Sequence, residues 1–225
     1  MSRNISLAPD EFYHLYNRGT EKRDIFLTET DRERFLALLY FSNTEEPVHI
    51  SNIQKYQGST LMELLSEMDR GETLVDVCAY CLMPNHFHLL VREKKDFGIS
   101  RFMQKLITGY TMYFNKRNER SGALFQGKYK ATHASDDRYL KYLVSYIHLN
   151  PVKLIEPRWK ETGIRNRKAA EKFLRSYRYS SYPDYLKLQR GEEKIITRDA
   201  LPDYFSDTRS LEEDIADWLD YHKDL

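Results

Sequence analysis

The chain of 225 residues predicts an α+β fold in which helices pack on an antiparallel sheet. A nearly continuous apolar run from Leu74 to Met83 meets the turn residues Pro84 and Asn85. A second strand-like run then continues to Arg92, which indicates an antiparallel hairpin. Segments with the spacing of amphipathic helices lie on both sides of this hairpin. The composition, 41% hydrophobic and 31% charged, is enough for one sizeable core.

Upstream of the hairpin, the sequence predicts one strand and one helix. The aromatic-rich segment 12–17 indicates a first strand that ends in a turn. Thr30 and Glu33 have the spacing of a capping box, and they predict a helix that continues to about Phe41. The polar stretch 42–73 has only a short helical pattern, so we interpret it as an insertion into the core domain.

Downstream of the hairpin, two helices are predicted on either side of a further strand. Apolar residues at helical spacing predict a long amphipathic helix over 99–121, with basic side chains on its remaining surface. A strand is predicted at 129–134. Ser135 is expected to cap the next helix, 136–149, which ends before Pro151. The predicted order of elements is therefore β-α-β-β-α-β-α.

The chain is predicted to consist of a core domain and a C-terminal extension. The core domain covers 1–155, with the insertion at about 42–73, and the extension covers 156–225. We expect the extension to be helical and to end in an amphipathic helix that is capped by Ser210 with Glu213.

The formal net charge of +1 conceals an uneven distribution of charge along the chain. Lys and Arg outnumber Asp and Glu by ten to three between Arg92 and Lys130, and by eleven to four between Lys153 and Arg190. After Gly191 the balance reverses to eleven acids and four bases. The basic segments indicate a surface for a polyanion, although basic residues also serve solubility. No stretch has the apolar length that crosses a bilayer, and we expect a cytoplasmic protein.

The pair His86 and His88, separated by Phe87, is the most informative local feature. Side chains alternate on a strand, so both imidazoles should project from one face while Phe87, Leu89 and Val91 pack on the other. Neutral imidazole is a common metal ligand, and two of them leave coordination positions for a carboxylate, an amide, water or a phosphate oxygen. The pair predicts an open metal site that can act on phosphate.

Other potential metal ligands have a simpler interpretation. Cys78 and Cys81 are three residues apart on the same predicted strand, so they should point to opposite faces as small buried hydrophobic residues. A zinc site made of these cysteines and the histidine pair is the alternative. His14, His133 and His148 have no partner at chelating spacing and are predicted to be packing or surface residues, with His148 on the outward side of its helix.

The helix 136–149 carries a stripe of tyrosines beside its apolar stripe. Tyr139 and Tyr142 are expected to cover a core edge with their hydroxyls in water. Tyr146 and Asn150 are four residues apart and therefore share one face of the helix. A tyrosine hydroxyl beside a metal at His86 and His88 could attack phosphorus and form a phosphotyrosine, because the metal neutralises charge on the phosphate.

Four separated motifs in the right order resemble the REP-associated tyrosine transposases, which are single-tyrosine HUH transposases. In chain order they are Tyr13 to Gly19, Met83 to His88, Leu124 to Lys130, and Tyr146 to Lys153. The resemblance covers roughly 10–155. It implies a ferredoxin-like antiparallel sheet with helices packed on it, which agrees with the predicted order of elements.

The resemblance also implies the roles of the site residues. His86 and His88 would bind Mg²⁺ or Mn²⁺, and Tyr146 would be the nucleophile. Asn150 would be a third metal ligand, at a place where relatives outside this subgroup have glutamine. The implied reaction cleaves single-stranded DNA beside a hairpin, leaving a free 3′-hydroxyl and a 5′-phosphotyrosine, and joining reverses it. The implied location is the bacterial cytosol, at the nucleoid. The resemblance is compatible with a monomer or a homodimer.

Basic side chains in three regions are predicted to contact the DNA backbone. They lie at the end of the first strand, on the long amphipathic helix and in the loop before the fourth strand: Arg18, Arg101, Lys105, Lys116, Arg117, Lys128 and Lys130. Two alternatives to a strand transferase are a hairpin-binding module that does not cut DNA and a metal-dependent nuclease that uses water as nucleophile. The first could dispense with the histidine pair and the tyrosine, and the second with Tyr146.

Overall fold

The computed structural model describes residues 6–46, 70–205 and Ile215, and within them four strands form one sheet. The sheet order is β2-β3-β1-β4, and every neighbouring pair is antiparallel. In chain order the strands are β1 (Phe12–Arg18), β2 (Val75–Met83), β3 (His86–Glu93) and β4 (Lys130–His133). The predicted hairpin is confirmed, and its strand β3, which carries the histidine pair, is central in the sheet.

The helices complete the predicted ferredoxin-like order. Helix α1 connects β1 to β2, helix α2 connects β3 to β4, and α3 follows β4. Among the described residues of the C-terminal extension there are three shorter helices. The bounds are α1 (Glu29–Phe41), α2 (Gly98–Arg117), α3 (Asp137–Leu149), α4 (Trp159–Thr162), α5 (Arg167–Ser176) and α6 (Tyr182–Tyr185).

Two of the three predicted helix caps are displaced in the structure, and the third, at Ser210, lies outside the described residues. Helix α1 is capped by Thr28 in a capping box with Asp31, not by Thr30. The sequence offers two Thr-x-x-acid registers two residues apart, and only Thr28 has the extended backbone that an N-cap requires. Helix α3 is capped by Asp136 rather than Ser135, because the Asp136 carboxylate accepts the backbone N–H of Tyr139 at 2.8 Å.

The sheet has a hydrophobic core on each face. Helices α1 and α2 cover one face, where the β3 side chains Phe87, Leu89 and Val91 are fully buried. Helix α3 and the extension cover the other face, where Leu90 packs with Leu143 and other residues of α3. The alternation of β3 therefore directs His86 and His88 toward α3, as predicted.

The prediction that Cys78 and Cys81 point to opposite faces is wrong. A β-bulge between Val77 and Ala79 shifts the register, so both thiols lie in the core on the α3 side. Both are free and buried, as expected, and burial raises the pKa of each. Within 6–46 and 70–205, no three His, Cys, Asp or Glu side chains lie together as a group that could hold a metal ion.

The extension packs tightly against the core domain. Trp159, Leu174 and Tyr182 lie in the same core as α3 and the adjacent sheet face. The Oγ of Ser181 accepts the N–H of Tyr80 on β2 at 2.9 Å. Residues 47–69 of the predicted insertion and most of the predicted last helix lie outside the described residues, although Ile215 is helical and buried. None of the helices in the described part of the chain is long and apolar enough to cross a membrane.

His148 is buried, so its predicted outward position is wrong. Its Nε2 lies 2.8 Å from the Ser181 Oγ, and its ring contacts Tyr182 and Tyr185. Burial, with a smaller contribution from Arg190, lowers the pKa of His148 to about 3. The imidazole therefore stays neutral in the native state and ties α3 to the extension.

Acidification should destabilise the protein in part through His148. Its pKa is about 3 when folded and 6.5 by ordinary expectation when unfolded. The unfolded state thus binds the additional proton as pH falls below 6.5, and the free energy of unfolding should lose about 2 kcal/mol between pH 7 and pH 5 from this group. This loss in the free energy of unfolding is measured by urea unfolding of the metal-free wild type and of metal-free His148→Gln at both pH values. The variant should lose less stability than the wild type, and equal losses would contradict the assignment.

Candidate active site

A pocket of about 430 Å³ lies between α3 and the sheet face that carries the histidine pair. It is called the active-site pocket below. The pocket receives side chains from strands β1, β3 and β4, from helix α3 and from the segment after it. The lining residues are His14, Tyr16, Asn17, Arg18, His86, His88, Thr132, Tyr139, Tyr142, Leu143, Tyr146, Asn150, Lys153 and Lys160.

The structure brings His86, His88 and Tyr146 together in this pocket. The two imidazole rings are 5.0 Å apart between centroids and nearly perpendicular, at 89°. The Tyr146 ring lies 5.6 Å from the His88 ring, in an edge-on arrangement. Residues from a central strand and from the last core helix therefore converge on a shared space, as the sequence predicted.

The Nδ1 atoms of both histidines are already engaged. His86 Nδ1 lies 2.6 Å from Asn85 Oδ1, so it donates its proton to the amide oxygen. His88 Nδ1 lies 2.8 Å from His14 Nε2. When His88 is the donor in that contact, both histidines keep the Nε2 lone pair for a metal, an arrangement typical of metal-binding imidazoles.

His14 is a site residue that the sequence did not identify. It was predicted to be a packing or surface residue, but it lies on β1 within hydrogen-bonding distance of His88 and lines the pocket. Its ring also contacts the Tyr146 ring at 6.0 Å. Only the pairing of β1 with β3, which sets Tyr16 opposite His88, brings His14 to this position.

Electrostatics keep the imidazoles neutral at neutral pH. Burial lowers the pKa of His86 to about 4, and Arg18, Lys153 and Lys160 add to this effect. Burial is also the main cause that lowers the pKa of His88. Of the described residues that line the pocket, none is Asp or Glu. The pocket therefore combines neutral imidazoles with positive side chains, which suits a phosphate group.

Tyr146 is the inner end of a stack of three tyrosines on α3. The rings of Tyr139 and Tyr142 are 5.7 Å apart and tilted by 11°, and those of Tyr142 and Tyr146 are 5.7 Å apart and tilted by 20°. All three are partly exposed and line the pocket. Tyr139 and Tyr142 pack against the edge of the core, as predicted, and they also extend an aromatic surface outward from the histidine pair.

Asn150 is buried in the pocket wall, at the junction of α3 and the turn that follows it. Its Nδ2 donates to the backbone carbonyl of Tyr146 at 2.7 Å. That contact fixes the amide and leaves Oδ1 as the atom that could accept or coordinate. Imidazole nitrogens whose Nδ1 atoms are engaged and an amide oxygen are ligand types that suit a divalent ion whose other ligands are phosphate oxygens.

The predicted DNA-binding residues fall into two groups. Near the pocket, Arg18 lines it and Lys130 lies 5.9 Å from the Tyr16 ring. Lys128 is exposed in the loop before β4 and lines a separate cavity with residues of α2. The residues on α2 are elsewhere, since that helix packs on the opposite face of the sheet. They are Arg101, Lys105, Lys116 and Arg117.

Three of the α2 side chains have structural partners. Lys105 Nζ donates to the backbone carbonyls of 44–46, at 2.5 to 3.0 Å. Arg101 lies 3.6 Å from the Glu45 carboxylate, and Arg117 lies 3.6 Å from the Asp31 carboxylate. Lys116 is exposed in the last turn. The pocket instead receives Lys153 and Lys160, which the sequence did not identify as site residues.

Comparison with known proteins gives a family match and a fold match. The family described as "Transposase IS200 like" matches residues 48–150, which include the histidine pair, Tyr146 and Asn150. A solved structure described as "Structure of the REP associates tyrosine transposase bound to a REP hairpin" aligns with a TM-score of 0.50 and 11% sequence identity. The alignment covers 85% of this chain and 90% of that chain, which shows a shared fold. No curated protein matches.

Proposed function

The chain carries an IS200-like transposase region at residues 48–150, and on this premise we propose that it is a metal-dependent DNA strand transferase that acts through a 5′-phosphotyrosine. The match confirms the resemblance of its sequence motifs to tyrosine transposases. One observation carries the proposal: the Tyr146 ring lies 5.6 Å from the ring of His88, beside His86, in a pocket whose described residues include no carboxylate.

The proposed reaction is an in-line displacement at phosphorus. The Tyr146 hydroxyl loses its proton to solvent, and its oxygen forms a bond to the scissile phosphorus. The bond between phosphorus and the 3′ oxygen breaks, and that oxygen takes a proton from solvent to become a free 3′-hydroxyl. One ester bond replaces another, so the reaction needs no ATP, and attack by a 3′-hydroxyl reverses it.

The pocket residues would hold a divalent ion as well as the phosphate. His86, His88 and the Asn150 amide oxygen are the proposed ligands, and Mg²⁺ or Mn²⁺ suits a site completed by phosphate oxygens. Such an ion would neutralise charge on the scissile phosphate, which a phenol needs because it is a weak nucleophile at neutral pH. His14 would hold the His88 ring in place through the 2.8 Å contact between them.

The proposed substrate is single-stranded DNA beside a hairpin. Support comes from the fold shared with a transposase that is described as bound to a REP hairpin. The tyrosine stack on α3 offers aromatic surface for unpaired bases, which stack on any aromatic ring without base preference. Arg18 and Lys130 are placed to contact the backbone near the pocket. Lys128 and the α2 residues would contact only a more distant part of the hairpin.

Covalent capture tests the proposal. The protein is incubated with a hairpin oligonucleotide that carries a single-stranded flank, with Mn²⁺ or with EDTA, and the products are separated under denaturing conditions. We expect a metal-dependent protein–DNA adduct whose tryptic peptide, identified by mass spectrometry, carries the nucleotide on Tyr146. Cleavage with a free 5′-phosphate and no adduct would favour the water-using nuclease. Hairpin binding without cleavage would favour the binding module.

A further inference from the structure

We propose that Lys160, in the C-terminal extension, binds the scissile phosphate in the active-site pocket and thereby acts as a further catalytic residue. The proposal rests on the proposed function, since it assigns a role within that reaction. Lys160 lies ten positions beyond the end of the family match at residue 150, so this role does not follow from the match. It follows from the placement of the side chain over the proposed nucleophile.

Lys160 is held close to Tyr146. Its Nζ lies 4.2 Å from the centroid of the Tyr146 ring and 5.5 Å from the Trp159 ring. This is within the range of a cation–π contact, which places the ammonium over the ring that would carry the phosphate. A flexible four-carbon arm lets the ammonium move from the ring to a phosphate oxygen during the reaction.

The backbone that carries Lys160 is anchored on both sides. The neighbouring Trp159 is only 2% exposed and packs in the core beside α3. The Glu156 carboxylate accepts the N–H groups of Arg165 and Asn166 at 2.8 and 3.0 Å, which closes the segment around α4. The extension therefore places one lysine at the pocket by burying the residue next to it.

The charges around the pocket favour a phosphate as the partner of Lys160. Arg18, Lys153 and Lys160 all line the pocket, and none of the three forms an ion pair with a carboxylate of the described residues. Like charges that converge without counter-ions repel one another, so an anion that binds among them is stabilised. Among these three side chains, Lys160 is the one that lies over the Tyr146 ring.

The test separates phosphate contact from the covalent step. The experiment uses Tyr146→Phe, which cannot form the adduct, as the parental protein. Its affinity for a single-stranded oligonucleotide is measured at several salt concentrations and compared with that of the double variants that also carry Lys160→Met or Lys160→Arg. Loss of one phosphate contact should make the slope of log K against log salt shallower by about 0.7 in Lys160→Met, and Lys160→Arg should keep the parental slope. Lys194→Met, an exposed lysine outside the pocket, controls for net charge.

With Tyr146 present, Lys160→Met should form the adduct at least about 10-fold more slowly than the wild type at saturating DNA. Its affinity for Mn²⁺ in the absence of DNA should be unchanged. A parental salt slope together with a parental adduct rate in Lys160→Met would overturn the proposal. If Lys160→Met has the shallower salt slope but the wild-type protein forms no adduct, the result would support the phosphate contact and contradict the proposed function. If Lys194→Met changes the salt slope as much as Lys160→Met does, the effect is one of net charge alone, and this result would also overturn the proposal.

Discussion

Tyr146→Phe should abolish the covalent protein–DNA adduct and slow strand cleavage by about 10⁴-fold or more, as expected when a nucleophile is removed. The phenylalanine ring keeps the stack with Tyr142 and the edge-on contact with His88, so folding and DNA affinity should persist. The measurements are the rate of adduct formation with Mn²⁺ and the affinity for the uncleaved hairpin.

Tyr142→Phe is the matched control, because it removes a hydroxyl from the adjacent ring of the same stack. It should retain both adduct formation and cleavage. An adduct that survives in Tyr146→Phe would reassign the nucleophile, with Tyr142 as the first candidate. Undiminished cleavage in Tyr146→Phe without any adduct would show that water is the nucleophile.

His88→Ala should have the second largest effect. It removes one proposed metal ligand and leaves His14, buried beside it, without the partner at 2.8 Å. We expect the affinity for Mn²⁺ to fall by more than about 100-fold, which exceeds the usual effect of losing a residue that only supports a ligand. The rate of adduct formation should fall by about 10³-fold, because charge on the phosphate is no longer neutralised.

Titration of Mn²⁺, followed by the electron paramagnetic resonance signal of the free ion, measures affinity independently of cleavage. His133→Ala is the control, since this histidine contacts Glu11 at 2.6 Å and does not line the pocket. Urea unfolding of the metal-free variants separates loss of ligation from loss of stability. Wild-type Mn²⁺ affinity in a folded His88→Ala protein would exclude His88 as a ligand.

Local periodicity determined much of the core domain. The turn at Pro84 and Asn85 defines the hairpin, and the two-residue period of β3 sets His86 and His88 on one face. The helical spacing from Tyr146 to Asn150 likewise places both on one side of the α3 end. These features depend on residues a few positions apart, and backbone geometry fixes them without reference to the rest of the chain.

Sequence periodicity failed where neighbouring registers compete or a strand is irregular. Thr28 and Thr30 offer alternative capping boxes, and the backbone conformation at Thr28 decides between them. The bulge after Val77 turns Cys78 and Cys81 to the same face, against strict alternation. Such an irregularity depends on how β2 pairs with β3, and no pattern in β2 alone indicates it.

The sequence by itself determined the order of elements, and the resemblance of its motifs identified the two histidines and Tyr146 as candidates for one site. Only the tertiary structure placed His14 against His88, separated the α2 cations from the pocket, and brought Lys160 over Tyr146. The reason is physical: each of these contacts joins residues that are distant along the chain. Strand register, the two faces of the sheet and the burial of Trp159 set their distances, and these are properties of the packed core rather than of any local segment.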